Sequence, residues 1–348
     1  MLGVLAAAMF GASTPAAKEL LGDVTSQLLA GLLYGGAAVA LSAVLALRRS
    51  PVEARLRRGD APRLATVTFA GGVVAPVLLL VGLERVSGVA GSLLLNLEAV
   101  FTVALALVVF GEHLDRRAGA GAAIVVCAAA VLALSDGGSG VDLVGIACIA
   151  GACVAWAIDN NVTQQLSGRD PFAIVRAKAS VAAAVNLTLA VALGAARPPT
   201  TALAASLVLG GAAYGLSVVL DAYALRWVGA AREAAYFATA PLFGVATAVV
   251  ILGEKITRAE GLAMAMMGAG VYLLVTERHT HHHLHMVMGH DHRHRHDDGH
   301  HGHPHDEPIE EHAHRHSHVA VAHAHGHVSD AHHRHRHADR TGLTAPDR

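Results

Sequence analysis

Apolar runs of about 20 residues recur along most of this chain, and each is long enough to cross a bilayer as a helix. A backbone in lipid must satisfy its own polar groups, which favours helices here. The predicted fold is therefore an all-α membrane protein with ten transmembrane helices. The predicted spans are residues 2–20, 25–47, 64–85, 88–110, 117–135, 142–164, 171–195, 201–224, 229–252 and 259–276.

The composition agrees with a membrane protein and excludes several other classes. Hydrophobic residues make up 53% of the chain and charged residues only 15%, whereas soluble chains carry about 25% charged residues. The formal net charge of −1 offers no basic face to nucleic acid. Cys127, Cys148 and Cys153 lie in apolar runs without paired spacing, which excludes a disulfide scaffold or a zinc ribbon. No basic segment precedes the first run, so no removable signal peptide is predicted.

The arginines predict an orientation in the membrane. They are concentrated in the connections that follow even-numbered spans, and the connection after the second span holds Arg48, Arg49, Arg55, Arg57, Arg58 and Arg63. Basic residues favour the cytoplasmic side, which places both termini in the cytoplasm. Only three of the 26 basic residues are lysines. Because this bias is typical of GC-rich bacterial genomes, we predict a multi-pass protein of a bacterial inner membrane.

An internal duplication relates the two halves of the apolar body. A shift of 142 residues aligns 83–123 with 225–265 and matches identical residues, including Phe101/Phe243, Gly111/Gly253, Glu112/Glu254 and Gly119/Gly261. A repeat of five helices is odd-numbered, so the second copy enters the membrane inverted, as in many secondary transporters. The predicted domains are a first repeat at 1–135, a second at 142–276 and a tail at 277–348.

These motifs resemble the EamA-type branch of the drug/metabolite transporter superfamily. The first copy reads Asn-Leu-Glu-Ala-Val-Phe over 96–101 and then Gly-Glu-His-Leu over 111–114; the second reads Ala-Pro-Leu-Phe over 240–243 and then Gly-Glu-Lys-Ile over 253–256. The stretch 10–18 is similar to the family's first helix. One departure is Ala99, where the second copy has Pro241. The resemblance implies ten helices in two repeats and a transport function, and it leaves the substrate open.

Polar residues inside the spans are the candidate substrate site, because charge in a bilayer is expensive and usually lines a cavity or relays protons. Glu98 is the deepest carboxylate, and Asp159 belongs to a polar cluster in the sixth span. The alternative for Glu98 is a neutral carboxyl that is hydrogen-bonded to a neighbouring helix. The alternative for the cluster around Asp159 is that Asn161 and Thr163 merely approach the cytoplasmic interface. Tyr214, Ser217 and Asp221 share one face of an α-helix. The predicted binding residues are Asn96, Glu98, Trp156, Asp159, Asn160, Tyr214, Ser217, Asp221 and Tyr236.

Several other residues have a structural interpretation. Arg176 and Lys178 are expected to extend towards lipid headgroups. Glu112 and Glu254 are expected to anchor helix ends. The Gly-x-x-x-Gly spacings at 31–35 and 211–215 predict close helix packing. No nucleophile–base pair, phosphate-binding loop or ATPase motif is present, so we predict that the protein is not an enzyme and uses a gradient.

The tail is rich in histidine and predicts metal binding. It contains 24 of the 25 histidines, and its polar composition predicts disorder without metal. Alternate residues of an extended chain point the same way, and imidazole suits zinc, nickel or cobalt. The alternative is compositional drift without a biological role. The predicted ligands are His290, His292, His294, His296, His312, His314, His316, His318, His323, His325, His327, His333, His335 and His337.

The sequence thus favours a secondary transporter that moves a small metabolite or amphipathic compound by alternating access. Two alternatives are a transition-metal transporter (zinc, nickel or cobalt) whose tail gathers the ion, and a membrane-tethered metal buffer. No histidine lies within a span, which argues against the first, and ten spans exceed what an anchor needs. The expected partners are the small-molecule substrate, the lipid bilayer and, as a candidate, a second copy in a homodimer. No cofactor is required.

Overall fold

The computed structural model describes residues 1–47, 54–110, 116–134, 142–166, 169–228, 236–275, 279–285, 288–295, 311–318 and 321–327. Its first half contains five helical regions. They are α1, Leu2–Leu20; α2, Ser26–Leu47; α3, with segments Ala61–Val67, Thr68–Val74 and Ala75–Leu83; α4, with segments Gly88–Leu94 and Leu97–Phe110; and α5, Arg116–Leu134. A short 3₁₀ turn, Arg58–Asp60, precedes α3.

The second half repeats this order. The helices are α6, Leu143–Thr163; α7, Pro171–Ala192; α8, with segments Thr200–Leu209, Gly210–Leu216 and Ser217–Val228; α9, Ala240–Ile251; and α10, Arg258–Val275. A 3₁₀ turn, Gln164–Leu166, extends α6. Each predicted span thus contains described helix, although residues 229–235 of the ninth lie outside the described residues.

Two of these helices contain a π-helical turn that the sequence analysis did not predict. The turn in α3 spans Thr68–Val74 and the turn in α8 spans Gly210–Leu216. Their first residues are 142 positions apart, which is the offset that aligns the two halves. In α8 the wider turn contains Tyr214, whereas Ser217 and Asp221 lie in the α-helical segment that follows it, so the predicted α-helical spacing applies to Ser217 and Asp221 but not to Tyr214.

The helix α4 is broken immediately before its carboxylate. Its first segment ends at Leu94 and its second begins at Leu97. Across the break, the side-chain Nδ2 of Asn96 donates to the carbonyl of Leu93 at 3.0 Å. The backbone N–H of Glu98 donates to the carbonyl of Leu95, also at 3.0 Å. The predicted continuous span is therefore two segments, and discontinuous helices are a common feature of transporter binding sites.

Helices of one half pack on helices of the other. The helix α1 contacts α8 and α9, while α6 makes the corresponding contacts with α3 and α4. The helix α2 packs along α7, and α5 along α10. These contacts are preserved when the two halves are exchanged. The core is accordingly built across the halves, and it would be lost if either half folded alone.

Glycines allow the closest of these approaches. A Cβ on Gly36 of α2 would overlap the backbone carbonyl of Leu207 in α8, and a Cβ on Gly210 would overlap that of Leu33. By contrast, a Cβ on Gly35 would meet only a Leu207 methyl group at 3.8 Å. The predicted Gly-x-x-x-Gly packing is therefore real at this interface, but its tightest points lie one residue away from the predicted pairs.

The outside of the helical body is apolar. Large hydrophobic side chains such as Val39, Phe69, Val191 and Leu193 are exposed, and an apolar exterior of this extent is typical of a lipid-facing surface. Within the described residues, six helical stretches are long and apolar enough to cross a membrane. They are Ser26–Leu47, Arg58–Leu83, Gly88–Leu105, Leu143–Leu166, Pro171–Ala192 and Thr200–Asp221.

The tail departs from its predicted disorder in four strands. Strand β1, His279–His285, pairs antiparallel with β4, Val321–His327, and β2, Met288–Arg295, pairs with β3, Glu311–His318. The alternation of histidine with other residues has the period of two that a strand requires. The register sets histidines opposite one another, as in His281↔His325, His283↔His323, His290↔His316, His292↔His314 and His294↔His312.

Candidate functional site

A buried ion pair joins α6 and α7 in the middle of the helical body. The Lys178 ammonium donates to Asp159 Oδ2, and the two side chains are only 16% and 6% exposed. Thr163 Oγ1 donates to the other carboxylate oxygen of Asp159 at 2.9 Å. The prediction that Lys178 extends to the headgroups was therefore wrong. Its ammonium neutralises Asp159 inside the protein, where an unpaired charge would be costly.

The second carboxylate, Glu98, lies near this pair on α4. Asn160 Nδ2 donates to Glu98 Oε1 at 2.7 Å, and Asn160 is exposed while Glu98 is half-buried. Asp159, Lys178 and Asp221, on three other helices, are close enough to act electrostatically on Glu98. Glu98 thus keeps an accessible surface close to the ion pair.

The π-helical turn of α3 packs against the ion pair and accepts hydrogen bonds from neighbouring helices. Its Gly71 carbonyl accepts hydrogen bonds from Tyr34 Oη at 2.6 Å and from Trp156 Nε1 at 3.2 Å. The Gly72 carbonyl accepts from Asn186 Nδ2 at 3.0 Å. A Cβ on Gly71 would overlap the Asp159 carboxylate, so glycine is required there. This turn thus holds helices α2, α6 and α7 around the ion pair.

An aromatic cluster adjoins the carboxylates. The ring of Phe10 lies 6.3 Å from Trp156, 6.1 Å from Tyr214 and 5.5 Å from Phe237, measured between centroids. Tyr34 packs edge-on against Tyr214 at 5.4 Å. Trp156 precedes Asn160 by one helical turn, so the cluster and the Glu98–Asn160 pair are neighbours on α6. The site therefore combines an apolar aromatic wall with charged groups.

The other predicted residues have different roles. Asn96 donates to Leu93 O and lies 3.6 Å from the sulfur of Met267 in α10, so it supports the break in α4 rather than the ion-pair cluster. Tyr236 packs against α1, where a Cβ on Gly3 would lie 3.0 Å from its ring. Ser217 is fully buried, and its hydroxyl has no hydrogen-bond partner within the described residues. Asp221 is half-buried on α8.

One end of the bundle is closed by polar contacts to helix ends. Lys18 Nζ donates to the carbonyls of Leu83 and Val86 at 2.7 Å each. The Glu254 carboxylate accepts from the Gly88 and Val89 amides at 2.7 and 2.8 Å, at the start of α4. The interpretation of Glu254 as a helix-end anchor is confirmed, while Glu112 lies outside the described residues. These contacts join α1, α3, α4 and the connection after α9.

An ion pair lies at each end of the helical body, exposed at one end and largely buried at the other. Arg85 and Asp142 meet at 2.7 Å. A hydrogen bond from Arg85, together with the Val144 N–H at the start of α6, lowers the pKa of the Asp142 carboxyl. At the opposite end Arg169 pairs with Asp60 at 2.9 Å and connects α7 to the start of α3.

Sequence reasoning missed several residues of the site. Phe10, Tyr34, Lys178 and Phe237 lie around the predicted residues, and Asn186 bonds to both Gln27 and the Gly72 carbonyl. Asn186 and the Gly71–Gly72 pair were detectable as a polar residue and paired glycines within apolar spans. The aromatic residues carried no such signal, since an isolated Phe or Tyr in a span most often only packs.

The described part of the chain holds no group of three or more His, Cys, Asp or Glu side chains arranged to bind a metal ion. Of the predicted tail ligands, His296, His333, His335 and His337 lie outside the described residues. Metal binding by the tail therefore stays a prediction.

Comparison with known proteins identifies a family model that covers both halves of the helical body and relatives that match much of it. A model of the EamA-like transporter family matches twice, over residues 1–134 and 143–276. An uncharacterized transporter of Methanothermobacter thermautotrophicus is 30% identical over 234 residues, or 65% of this chain and 68% of that protein. A probable terminal-alkyne amino-acid exporter of Streptantibioticus cattleyicolor is 30% identical over 250 residues, or 71% of this chain and 84% of that protein.

A solved crystal structure supports the same fold. It superposes with a TM-score of 0.60 at 18% sequence identity, and the match covers 79% of this chain and 97% of the solved one. At that identity the likeness concerns the fold alone. The arrangement of the ten helical regions is thus shared with a solved protein of low sequence similarity.

Proposed function

Because this chain belongs to the EamA-like transporter family, we propose that it moves a small metabolite or amphipathic compound across a bacterial inner membrane. In this proposal all ten helical regions span the bilayer as two inverted repeats, 1–135 and 142–276. The two repeats alternate between two conformations, and in each conformation the central site is open to one side of the membrane, as in other inverted-repeat transporters. The observation that carries the proposal is the set of interior charges, Glu98, Asp159 and Lys178, within an otherwise apolar bundle.

The packing between the halves supports alternating access. Contacts of α1 with α8 and α9 have counterparts in contacts of α6 with α3 and α4. A conformation closed at one end can therefore be converted into one closed at the other by exchanging equivalent contacts. The Lys18 and Glu254 contacts close the end that contains the connections after odd-numbered helices.

The arginines of the connection between α2 and α3 support an orientation with both termini in the cytoplasm. Alkaline phosphatase is active only in the periplasm, so this reporter should be inactive when it is fused after Arg348. The matched control is the same reporter inserted after Ala195, in the connection between α7 and α8, where it should be active. The reverse pattern of activity would invert the proposed orientation.

Transport is tested by counterflow in vesicles containing the purified full-length chain. Vesicles preloaded with an unlabelled compound should take up its labelled form several-fold faster than protein-free vesicles, because an alternating-access carrier exchanges substrates. The panel begins with amino-acid metabolites, since one relative is named as an amino-acid exporter. It also contains Zn²⁺, Ni²⁺ and Co²⁺. Absence of counterflow for every metabolite would contradict the proposal.

The tail is tested in the same vesicles by deleting His279–Arg348. The tail strands pair only with one another, so the deletion removes no strand partner from the helical body. The truncated protein should retain metabolite exchange and lose zinc binding, because His113 is then the only histidine. Zinc binding to the full chain should weaken below about pH 6.5, where protons compete for free imidazoles. Metal flux that disappears on truncation, without metabolite flux, would favour the metal-transporter alternative.

A further inference from the structure

The negative charge at the central site exceeds the positive charge. Lys178 is paired with Asp159, which leaves that pair neutral. Glu98 accepts a hydrogen bond from the neutral amide of Asn160, and no lysine or arginine of the described residues forms a salt bridge with it. A carboxylate within an apolar bundle is costly without a counter-charge. Within the described residues, Glu98 is thus the carboxyl of the site that has no cationic partner.

The space beside Glu98 is suited to a ligand with an apolar body. Glu98 and Phe237 are half-buried and Asn160 is exposed, so their surfaces remain accessible. The ring of Phe10 packs against those of Trp156 and Phe237, and Trp156 lies one helical turn from Asn160 on α6. Aromatic faces attract cations as well as apolar groups. The carboxylate and the aromatic rings therefore both favour a cationic ligand, and the rings also favour one with an apolar body.

From this arrangement we infer that the site binds a compound with an ammonium group on an apolar body, with Glu98 as the counter-ion. The ammonium donates to the Glu98 carboxylate, and the body packs against Phe10, Trp156 and Phe237. This inference rests on the proposed transport function and specifies the substrate class of its central site. Lys178 plays no part in holding the cation, because its own charge is repelled by an ammonium and is already paired.

Binding is measurable through a tryptophan of the site. The chain has two tryptophans, Trp156 and Trp227. A Trp227→Phe background therefore leaves Trp156, in the aromatic cluster, as the only tryptophan emitter. Three probes with the same aromatic body are titrated into this purified full-length protein: phenethylamine, 2-phenylethanol and 3-phenylpropanoate. They carry an ammonium, a neutral hydroxyl and a carboxylate.

We expect phenethylamine to bind at least about tenfold more tightly than either other probe. Glu98→Gln should remove this preference and leave 2-phenylethanol binding unchanged, while Glu98→Asp, which keeps the charge, should retain part of it. The matched control is Glu19→Gln, at an exposed glutamate near the end of α1, which should change nothing. Thermal unfolding of each variant establishes that the proteins compared are folded.

Two results would overturn the inference: equal or absent binding of the amine relative to the other probes, or an amine preference that survives Glu98→Gln. The measurement does not depend on transport. An amine preference without vesicle counterflow would contradict the proposed function and leave the inference standing. Counterflow without an amine preference would overturn the inference alone.

Discussion

The Asp159→Asn and Lys178→Met variants are each expected to unfold at a much lower temperature than the native protein. Each variant leaves one buried charge without its partner, and breaking a buried pair in this way costs about 3–5 kcal/mol. Both substitutions preserve shape. Asparagine keeps an acceptor for Thr163, and methionine keeps the methylene groups that pack near Gly72. The lost stability therefore measures the charge itself.

The double variant Asp159→Asn/Lys178→Met distinguishes pairing from other effects. Because it removes both charges, it should recover most of the lost thermal stability, which is measured by unfolding in detergent micelles. The control is Arg85→Met, which breaks the exposed pair with Asp142 and should leave the melting temperature unchanged. A double variant no more stable than the weaker single variant would show that the two residues act independently.

The second large effect is expected at the interface of α2 and α8. In Gly36→Ala the new methyl group would overlap the backbone carbonyl of Leu207. A backbone carbonyl cannot move away by changing rotamer as a side chain can, so the two helices must separate. Overpacking of this kind typically costs about 1–3 kcal/mol and sometimes more. We expect a lower melting temperature and a smaller yield of monodisperse protein.

Gly35→Ala is the matched control, one residue away on the same helix. Its methyl group would meet Leu207 at an ordinary 3.8 Å. Alanine also favours helix over glycine by about 1 kcal/mol. This variant should therefore be at least as stable as the native protein. Equal stability of Gly35→Ala and Gly36→Ala would mean that α2 and α8 are farther apart in the protein than in this structure.

The sequence was sufficient to predict the helical body, because the length and apolarity of a span are local properties. Glu98 and Asp159 were also predictable, since a carboxylate in an apolar run stands out without any knowledge of its neighbours. Lys178 was not, because a lysine near a helix end extends to the headgroups unless a partner meets it. That partner, Asp159, lies on the preceding helix, and only packing brings the two together.

Irregular backbone was the second gap. The π-helical turns and the break before Glu98 depend on which carbonyls find partners on other helices, such as Tyr34 and Trp156 at Gly71. Sequence periodicity cannot reveal those partners. Two adjacent positions also differ in their contacts: Tyr236, predicted for the site, packs near Gly3 of α1, while Phe237 packs against Phe10 of the aromatic cluster. The tail strands were not predicted, because the polar composition of the tail favours disorder even though its histidines alternate with the period of a strand.

The π-helical turns have a consequence for the history of the chain. Under the proposed duplication, a feature present at equivalent positions of α3 and α8 was present in the single ancestral copy. The charged groups differ: Glu98, Asp159 and Lys178 correspond to Ala240, Ala17 and Gly36 in the opposite halves. The backbone irregularity is thus present in both copies, whereas each charged group was acquired or kept in one copy only, Glu98 in the first and Asp159 and Lys178 in the second. On this view, a change of substrate in such a chain would require changes at a few side chains and none in the backbone that carries them.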